Sequence, residues 1–149
     1  MTDLDVPGPI DFVLIEFPGD AVGNELAKEV GDLIDRGTVR LYDIAVVRKG
    51  ADGSPTVVDL TDPSLAAAEE LQRFAGAQSG LLGDQDIADA VAIMDAGSVA
   101  LMLVYENTWA IPFIKAALDQ GGQVIATERI GVQDIIDALD AADAADAAN

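Results

Sequence analysis

The chain contains a weak internal repeat of a strand, an amphipathic helix and a second strand. The first copy spans residues 10–49 and the second spans residues 98–130. Two such units within 149 residues predict a four-stranded antiparallel sheet built from split βαβ units. Because that architecture hosts many unrelated functions, the repeat limits the fold without indicating an activity.

The two strands of each copy differ in their pattern. The first strands, residues 10–17 and 98–106, are apolar on both faces, as is typical of strands inside a sheet. The second strands, residues 39–49 and 123–130, carry several charged residues, as edge strands often do. We therefore predict an α+β, ferredoxin-like sandwich with the first strands at its centre and the second strands at its edges.

The segment between the two copies predicts additional elements. Turn residues at positions 50–55 indicate that residues 56–60 fold back as an extra hairpin strand. Asp62 followed by Pro63 predicts the start of a helix that reaches about residue 74. Asp84 is expected to begin another helix, and a last helix starts near Val132.

The composition of the two ends suggests three regions. Residues 1–9 contain prolines, a glycine and aspartates without periodicity, so we predict a flexible arm. Residues 10–139 are expected to form a single ferredoxin-like domain. Residues 140–149 form an acidic Ala/Asp tail, and its aspartates recur every three residues, which spreads them around a helix. A solvated, fraying tail is favoured over a cation site.

One face of the predicted sheet requires a cover, because the helices of the βαβ units occupy only the other face. Candidates are helices over residues 65–74 and 84–95, the C-terminal helix, or the sheet of a second subunit. An exposed apolar sheet face would be a large adhesive patch. We therefore predict a homodimer or larger assembly of the chain with itself through this second sheet face.

Charge and missing residue types exclude several classes of function. With 27 acidic and 8 basic residues, the net charge of −19 repels nucleic acid and anionic membranes. The acidity fits either adaptation to high salt or an Ala/Asp-rich genome. The chain has no cysteine and no histidine, so we predict no metal site and no cofactor.

Hydropathy predicts a cytoplasmic protein without membrane insertion. No secretory signal is visible in the first residues, MTDLDVPGPI. The longest strongly apolar stretch, residues 99–105, is too short to span a bilayer.

Four segments carry a resemblance to a known family: DLIDRGTVRLYDIAVVRKGADGSPTVVDL, SGLLGDQDIADAV, GSVALMLVYENTWA and GGQVIATERI. Across residues 10–130 the chain resembles an actinobacterial family of unknown function. That family is similar to a larger uncharacterised bacterial family with a glycine-rich, membrane-like insertion. Here only the short run AGAQSGLLG stands at the place of the insertion. The resemblance implies no activity, cofactor or catalytic residue.

The strongest candidate for ligand binding is the run Glu106, Asn107, Thr108 and Trp109. It brings a carboxylate, an amide, a hydroxyl and the single indole to the junction of a strand and a helix N-terminus. Such junctions bind anions or polar ligands. The alternative is that Asn107 or Thr108 caps the helix while Trp109 packs.

Glu16 is the fifth candidate, because it lies near the end of the other predicted central strand. Glu16 and Glu106 on neighbouring strands would divide acid and base roles or hold a divalent ion. Solvated strand ends, or pairing with Arg129 or Arg40, are the alternative.

These observations lead to three hypotheses about function. The first is a non-enzymatic, homo-oligomeric structural or interaction module. The second is a small-ligand sensor, in which loops at residues 18–23 and 106–109 bind a polar metabolite. The third is an enzyme that uses Glu16 and Glu106 as its acid and base.

Overall fold

A four-stranded antiparallel sheet organises the computed structural model of the chain, which describes residues 7–19, 22–63, 65 and 67–148. The strands are β1 (Ile10–Pro18), β2 (Arg40–Lys49), β3 (Pro55–Val58) and β4 (Ser98–Glu106), in the order β1-β4-β2-β3. The helices are α1 (Asn24–Asp35), α2 (Ala68–Leu71), α3 (Asp84–Ile93), α4 (Ile111–Asp119) and α5 (Val132–Ala147). The chain divides into two units, Met1–Ala116 and Ala117–Asn149. The predicted α+β class with an antiparallel sheet is confirmed.

The connection from β1 through α1 to β2 forms a split βαβ unit. Both strands are antiparallel to β4, which lies between them, so β1 and β2 run parallel to each other. β3 pairs with β2 and is the predicted extra hairpin strand. β4 occupies the predicted interior position.

Three expectations about strand positions are wrong. In the described sheet β1 is an edge strand and β2 is interior. The charged residues of β2 misled the prediction because Arg40 and Lys49 stand at its ends, whereas its middle is fully buried. Residues 123–130 are not a strand of the described sheet, although their pattern predicted an edge strand. The full ferredoxin-like order requires that strand, so the ferredoxin-like assignment stays a prediction.

The first face of the sheet is covered by α1 and by the segment from α2 through the 3₁₀ helix Gln72–Ala77. Leu71 and Phe74 of this segment are buried against the sheet side chains Val46, Val99 and Leu101. The apolar stripe of α1 lies over the same face, with Ala27 almost fully buried. This face therefore contains the larger core. The single helix predicted over residues 65–74 is instead the short α2 followed by the 3₁₀ helix, and its apolar residues contribute to this core.

The second face is covered by α3. Ala90, Val91 and Met94 pack against β2 and β4 at Ala45, Val47, Ala100 and Met102. This arrangement identifies which of the predicted candidates covers the second face: the helix predicted over residues 84–95. Ile10 and Phe12 of β1 remain more than half exposed, and by alternation they lie on the same face as Leu14.

Asp43 binds the linker between the 3₁₀ helix Gln72–Ala77 and α3, which leads from the first face of the sheet to the second. Its Oδ1 accepts hydrogen bonds from the backbone N–H of Ile44 (2.9 Å) and Ser79 (3.1 Å). Its Oδ2 accepts one from the backbone N–H of Leu82 (2.7 Å). The Asp43 side chain is buried and lies at the register shift in β2. Both carboxylate oxygens are therefore needed to satisfy backbone donors.

Lys49 fixes the other end of α3. Its Nζ donates to the carbonyl oxygens of Val91 (2.8 Å) and Met94 (2.9 Å), at the C-terminus of the helix. A cation at this position satisfies orphan carbonyls and complements the helix dipole. The backbone oxygen of Lys49 also accepts from Gly97 N–H (2.8 Å), so β2 holds the turn before β4.

The second unit contains α5 and the residues that precede it. The helix continues through the Ala/Asp run to Ala147, and none of its residues is buried. Within the described part of the chain, acidic side chains form no group suited to a metal ion. No helix of the described residues is long and apolar enough to cross a membrane. Residues 1–6, most of the predicted flexible arm, and Asn149 of the predicted tail lie outside the described residues.

Replacing Asp43 with Asn is expected to lower the free energy of unfolding by about 1–3 kcal/mol, because the amide nitrogen cannot accept the bond that one carboxylate oxygen accepts. The measurement is urea unfolding followed by circular dichroism. Asp52→Asn is the matched control, since only Oδ1 of Asp52 accepts, from Ser54, and asparagine retains that oxygen. Equal effects of the two substitutions would contradict the role assigned to Asp43.

Candidate functional site

The four candidate residues at the C-terminal end of β4 lie where the sequence predicted, at a junction between a strand and a helix. Glu106 ends β4, and Thr108 and Trp109 lie in the 3₁₀ helix Thr108–Ala110, which leads into α4. Asn107 connects the two elements. The structure therefore brings Glu106, Asn107, Thr108 and Trp109 together, and their contacts decide what they can bind.

Glu106 is only 4% exposed, and protein donors occupy both of its carboxylate oxygens. Oε2 accepts from the backbone N–H of Gly8 (2.7 Å), and Oε1 accepts from the Tyr42 hydroxyl (3.1 Å). The carboxylate thus joins the residues before β1 to the start of β2. This is a structural use of the charge, since a buried carboxylate needs such partners.

Asn107 reinforces the same connection to the chain before β1. Its backbone N–H (2.7 Å) and its side-chain Nδ2 (2.9 Å) both donate to the carbonyl oxygen of Pro9. Nδ2 also donates to Asp11 Oδ2 (2.9 Å), and Oδ1 accepts from the Trp109 indole N–H (3.2 Å). No side-chain hydrogen bond from Asn107 caps the 3₁₀ helix. Asn107 therefore connects the end of β4 to the start of β1 and does not cap the 3₁₀ helix.

Thr108 and Trp109 hold the turn between α1 and β2. The Thr108 hydroxyl donates to the carbonyl oxygen of Gly37 (2.8 Å), and the Trp109 backbone N–H donates to that of Thr38 (3.2 Å). Gly37 has a positive φ of 71°, which a glycine adopts without strain. The Trp109 side chain itself is 62% exposed. Of the four residues, Trp109 is the one that offers most of its side chain to a ligand.

Glu16 lies far from this cluster. The antiparallel register pairs Glu16 with Ala100 and Ile10 with Glu106, so the two glutamates lie at opposite ends of neighbouring strands. The separation of six residues along β4 corresponds to about 20 Å. Glu16 Oε2 instead accepts from the Asp95 backbone N–H (2.7 Å) and the Ser98 hydroxyl (2.9 Å). The structure does not bring the two glutamates into one acid–base or cation site.

The predicted sensor loops are separated for the same reason. Pro18 at the end of β1 is paired with Ser98, whereas the run from Glu106 to Trp109 follows the other end of β4. A single polar ligand therefore cannot contact both loops of one chain. Asp20 and Ala21, in the first of these loops, lie outside the described residues.

An apolar groove beside Trp109 is a site that the sequence reasoning missed. Its volume is about 380 Å³, and it lies between α1 and the first face of the sheet. Half-buried α1 side chains form one wall, strand side chains form the other, and Asn107 and Trp109 complete the lining. We call this the Trp109 groove; its main walls are Leu26, Val30, Ile34, Val13, Ile15 and Leu103. The stripe of α1 predicted a buried face, but periodicity does not indicate where packing stops short.

A cleft of about 500 Å³ adjoins the Trp109 groove and shares Ile34, Val39 and Leu41 with it. Two cations line this cleft, Arg40 and Arg73. Arg73 Nη2 lies 2.7 Å from Asp35 Oδ1, and this pair lowers the pKa of the Asp35 carboxyl. The Trp109 groove and the cleft together have mostly apolar walls and two arginines on one side, and Asp35 neutralises one of these, Arg73.

Tyr42, which donates a hydrogen bond to Glu106, has a raised pKa. Burial raises the pKa of the Tyr42 phenol, and the hydrogen bond to the Glu106 carboxylate raises it further. The guanidinium of Arg40 lies 5.7 Å from the Tyr42 ring centroid and acts in the opposite direction. Ionisation of Tyr42 would place a second negative charge beside Glu106, which explains the sign of the shift.

We expect Glu106→Gln to lower the pKa of Tyr42 toward its ordinary value near 10. The test uses a Tyr105→Phe background, because the chain has two tyrosines and Tyr42 then titrates alone. Tyrosinate absorbance against pH gives the pKa with and without Glu106→Gln. An unchanged titration curve would show that the carboxylate does not act on the phenol.

The same shift predicts a loss of stability at alkaline pH. Because the pKa of Tyr42 in the folded chain exceeds the unfolded value, its contribution is fully present below about pH 10 and is lost as pH rises through the folded pKa. Unfolding free energies measured by urea across this range should fall less steeply in Tyr42→Phe than in the unaltered chain. Parallel pH dependences would contradict the assignment.

Comparison with known proteins gives a family without an established activity. No curated protein sequence matches the chain, and no solved structure matches it. A family of unknown function, DUF6325, matches residues 6–149. The match covers both structural units, so the predicted membership of a family of unknown function is confirmed. The chain belongs to the DUF6325 family of unknown function.

Proposed function

We propose that the chain is a non-enzymatic, homo-oligomeric structural or interaction module. The observation that carries the proposal is where the large apolar side chains are exposed. Among the described residues they concentrate on the start of β1 and on the chain from residue 109 to residue 139. Phe113 of α4, for example, is 72% exposed. Large apolar side chains exposed in such number support an interaction surface.

The polar candidates support the same proposal. Glu16, Glu106 and Asn107 all make hydrogen bonds that fix neighbouring chain segments. A catalytic acid–base pair requires two groups that both reach one substrate, and the separation of the glutamates argues against the enzyme hypothesis.

The second sheet face offers less exposed apolar surface for this proposed assembly than the strand pattern predicted. α3 covers the middle of that face, and its exposed part lies at Ile10 and Phe12 of β1. The net charge of −19 supports a partner other than nucleic acid and opposes association of two copies at low ionic strength. We further propose that the protein acts in the cytoplasm. The actinobacterial origin and the relationship to a larger bacterial family stay predictions.

Light scattering across a range of concentrations, in salt that screens the charge, tests the proposal. We expect a mass that is a multiple of the single-chain mass and that falls on dilution. Phe113→Asp should weaken the association about tenfold or more, because burying a charge opposes contact formation. Leu81→Asp is the matched control, since Leu81 is similarly exposed but lies in the linker. A monomer at every concentration would overturn the proposal.

A second candidate function is the binding of a small ligand in the Trp109 groove. The groove's volume of about 380 Å³ lies within the usual range for small-molecule sites, and the exposed indole of Trp109 borders it. Its lining is mostly apolar, which favours an amphipathic ligand over the polar metabolite predicted from the loops.

Fluorescence of Trp109, the single tryptophan, reports on this groove. Amphipathic ligands should change its emission, and Val30→Phe, which fills the groove, should abolish the change. Val57→Phe, on β3 and remote from the groove lining, is the control. Emission that responds to no ligand of this class would contradict the sensor hypothesis.

A further inference from the structure

The outer edge of β1 lacks the features that usually protect a sheet edge. Within the described sheet β1 has β4 on one side and no strand on the other. The strand is nine residues long, and its register with β4 runs without a bulge from Ile10 to Pro18. Phe12 and Ile15 are typical of its mainly apolar sequence. A long, regular, apolar edge strand is a template for a further strand.

The charges of β1 give this edge little protection. Asp11 accepts from the side chain of Asn107, and Glu16 accepts from the turn before β4. Both carboxylates are thus directed into contacts with the same chain. Edge strands resist pairing by carrying charges that an added strand would bury without partners, or by a proline within the strand. Here the carboxylates already have partners and the proline stands at the last position.

A segment with strand-like sequence is available in the same chain. Residues 123–130, QVIATERI, contain four β-branched side chains, yet they form no strand of the described sheet. Ile125 is 86% exposed, and Val124 and Ile130 are at least half exposed. Without a ladder in the described sheet, this segment leaves backbone groups and apolar side chains that a partner strand would satisfy.

Topology indicates which edge this segment fits. The segment follows α4, which follows β4, so β4, α4 and residues 123–130 have the order of a second βαβ unit. In a split βαβ unit the two strands run parallel with one strand between them. With β4 as the first strand, the intervening strand is β1, and the second strand lies on the outer edge of β1.

We propose that residues 123–130 of one copy add antiparallel to the outer edge of β1 of a second copy, and that the exchange is reciprocal. The inference rests on the self-association proposed above and names the surfaces that produce it. A two-fold exchange pairs the outer edge of β1 in both copies at once.

In the described structure α4 does not occupy the position that closure of the sheet within one chain requires, so the segment that follows it is open to a second copy. Closing the sheet within one chain places α4 on the first face beside α1, where its apolar side chains would be buried. α4 has no buried residue, and Phe113 and Leu118 are both exposed. On that face the Trp109 groove lies open beside α1.

The side chains also suit the pairing. Ile125 and Thr127 lie on one face of an extended segment, and Val124 and Ile130 lie on the other. On β1, Val13 and Phe17 contact the first core while Leu14 contacts the second. An added strand therefore presents apolar side chains to both faces of β1, whichever face Ile125 occupies.

Cross-linking of single-cysteine chains tests the proposal, because the chain has no cysteine of its own. A Phe12→Cys chain is mixed with an affinity-tagged Thr127→Cys chain, dissociated together by dilution, concentrated and treated with a short bis-maleimide. We expect a cross-link between tagged and untagged chains. Leu81→Cys mixed with Thr127→Cys is the control and should give none.

Four outcomes would overturn the proposal and differ in their meaning. Cross-linking only within a chain that carries both Phe12→Cys and Thr127→Cys would show that the sheet closes on itself. Efficient cross-linking of Phe12→Cys with itself, without the mixed product, would show that two β1 edges pair directly. An assembly without any of these cross-links would leave the proposed function standing while this inference fails, whereas a monomer at all concentrations would remove both.

A backbone variant gives an independent readout. Replacing both Ala126 and Thr127 with proline removes an N–H that the ladder needs in either register, because successive N–H groups of a strand point to opposite sides, and it should weaken self-association at least about tenfold. Thr127→Ala keeps both N–H groups and is the control. Residues 126 and 127 are exposed and outside the described sheet, so circular dichroism of the double proline variant should match that of the control. Equal association of the two variants would overturn the strand exchange.

Discussion

The burial of β4 is the constraint on which the rest of the fold depends. Val99 and Leu101 on one face, and Ala100 and Met102 on the other, are completely buried. A strand of this kind requires a neighbour at both edges and a helical layer on both faces. β1 and β2 supply the edges, α1 and α2 supply one layer, and α3 supplies the other. The linker to α3 must pass from one layer to the other, which is why its backbone donors need the buried carboxylate of Asp43.

The apolar pattern predicted this central strand but not the full order of the sheet. Residues 10–17 have the same two-faced apolar character as β4, yet β1 has only one neighbour within the described sheet. Side-chain alternation reports how the faces are covered, whereas the number of neighbours is decided by backbone pairing, which leaves no periodic signal in the sequence. The same limit applies to residues 123–130, whose pattern is that of a strand without a partner in the described sheet.

The candidate site shows a similar division between what could and could not be predicted. The cluster from Glu106 to Trp109 lies at the strand-to-helix junction that the sequence indicated. Whether Glu16 lies near Glu106 depends on the direction of their strands. Because β1 and β4 are antiparallel, residues near the C-terminal ends of the two strands lie at opposite ends of the pair. The Trp109 groove had no signal beyond the stripe of α1, because gaps in packing arise from the shapes of particular side chains.

Charge and apolar surface oppose each other in this chain. The large negative charge opposes contact between copies, while exposed side chains such as Phe113 and Ile125 favour it. Because only the electrostatic part is screened by salt, ionic strength sets the balance between the two. Any association between copies is therefore expected to depend on the salt content of the surroundings.

The hydrogen bonds of Asp43 also have a consequence for how the sequence can change in length. The carboxylate accepts from Ser79 and from Leu82, so the two residues between them form a small surface loop with both ends attached to one side chain. Gly80 has a positive φ of 81° within this loop, and Leu81 is exposed. The entropic cost of a longer loop grows only slowly with its length. Extra residues inserted at this point would leave the attachment of α3 unchanged, which makes the loop the natural place for the chain to acquire an additional segment.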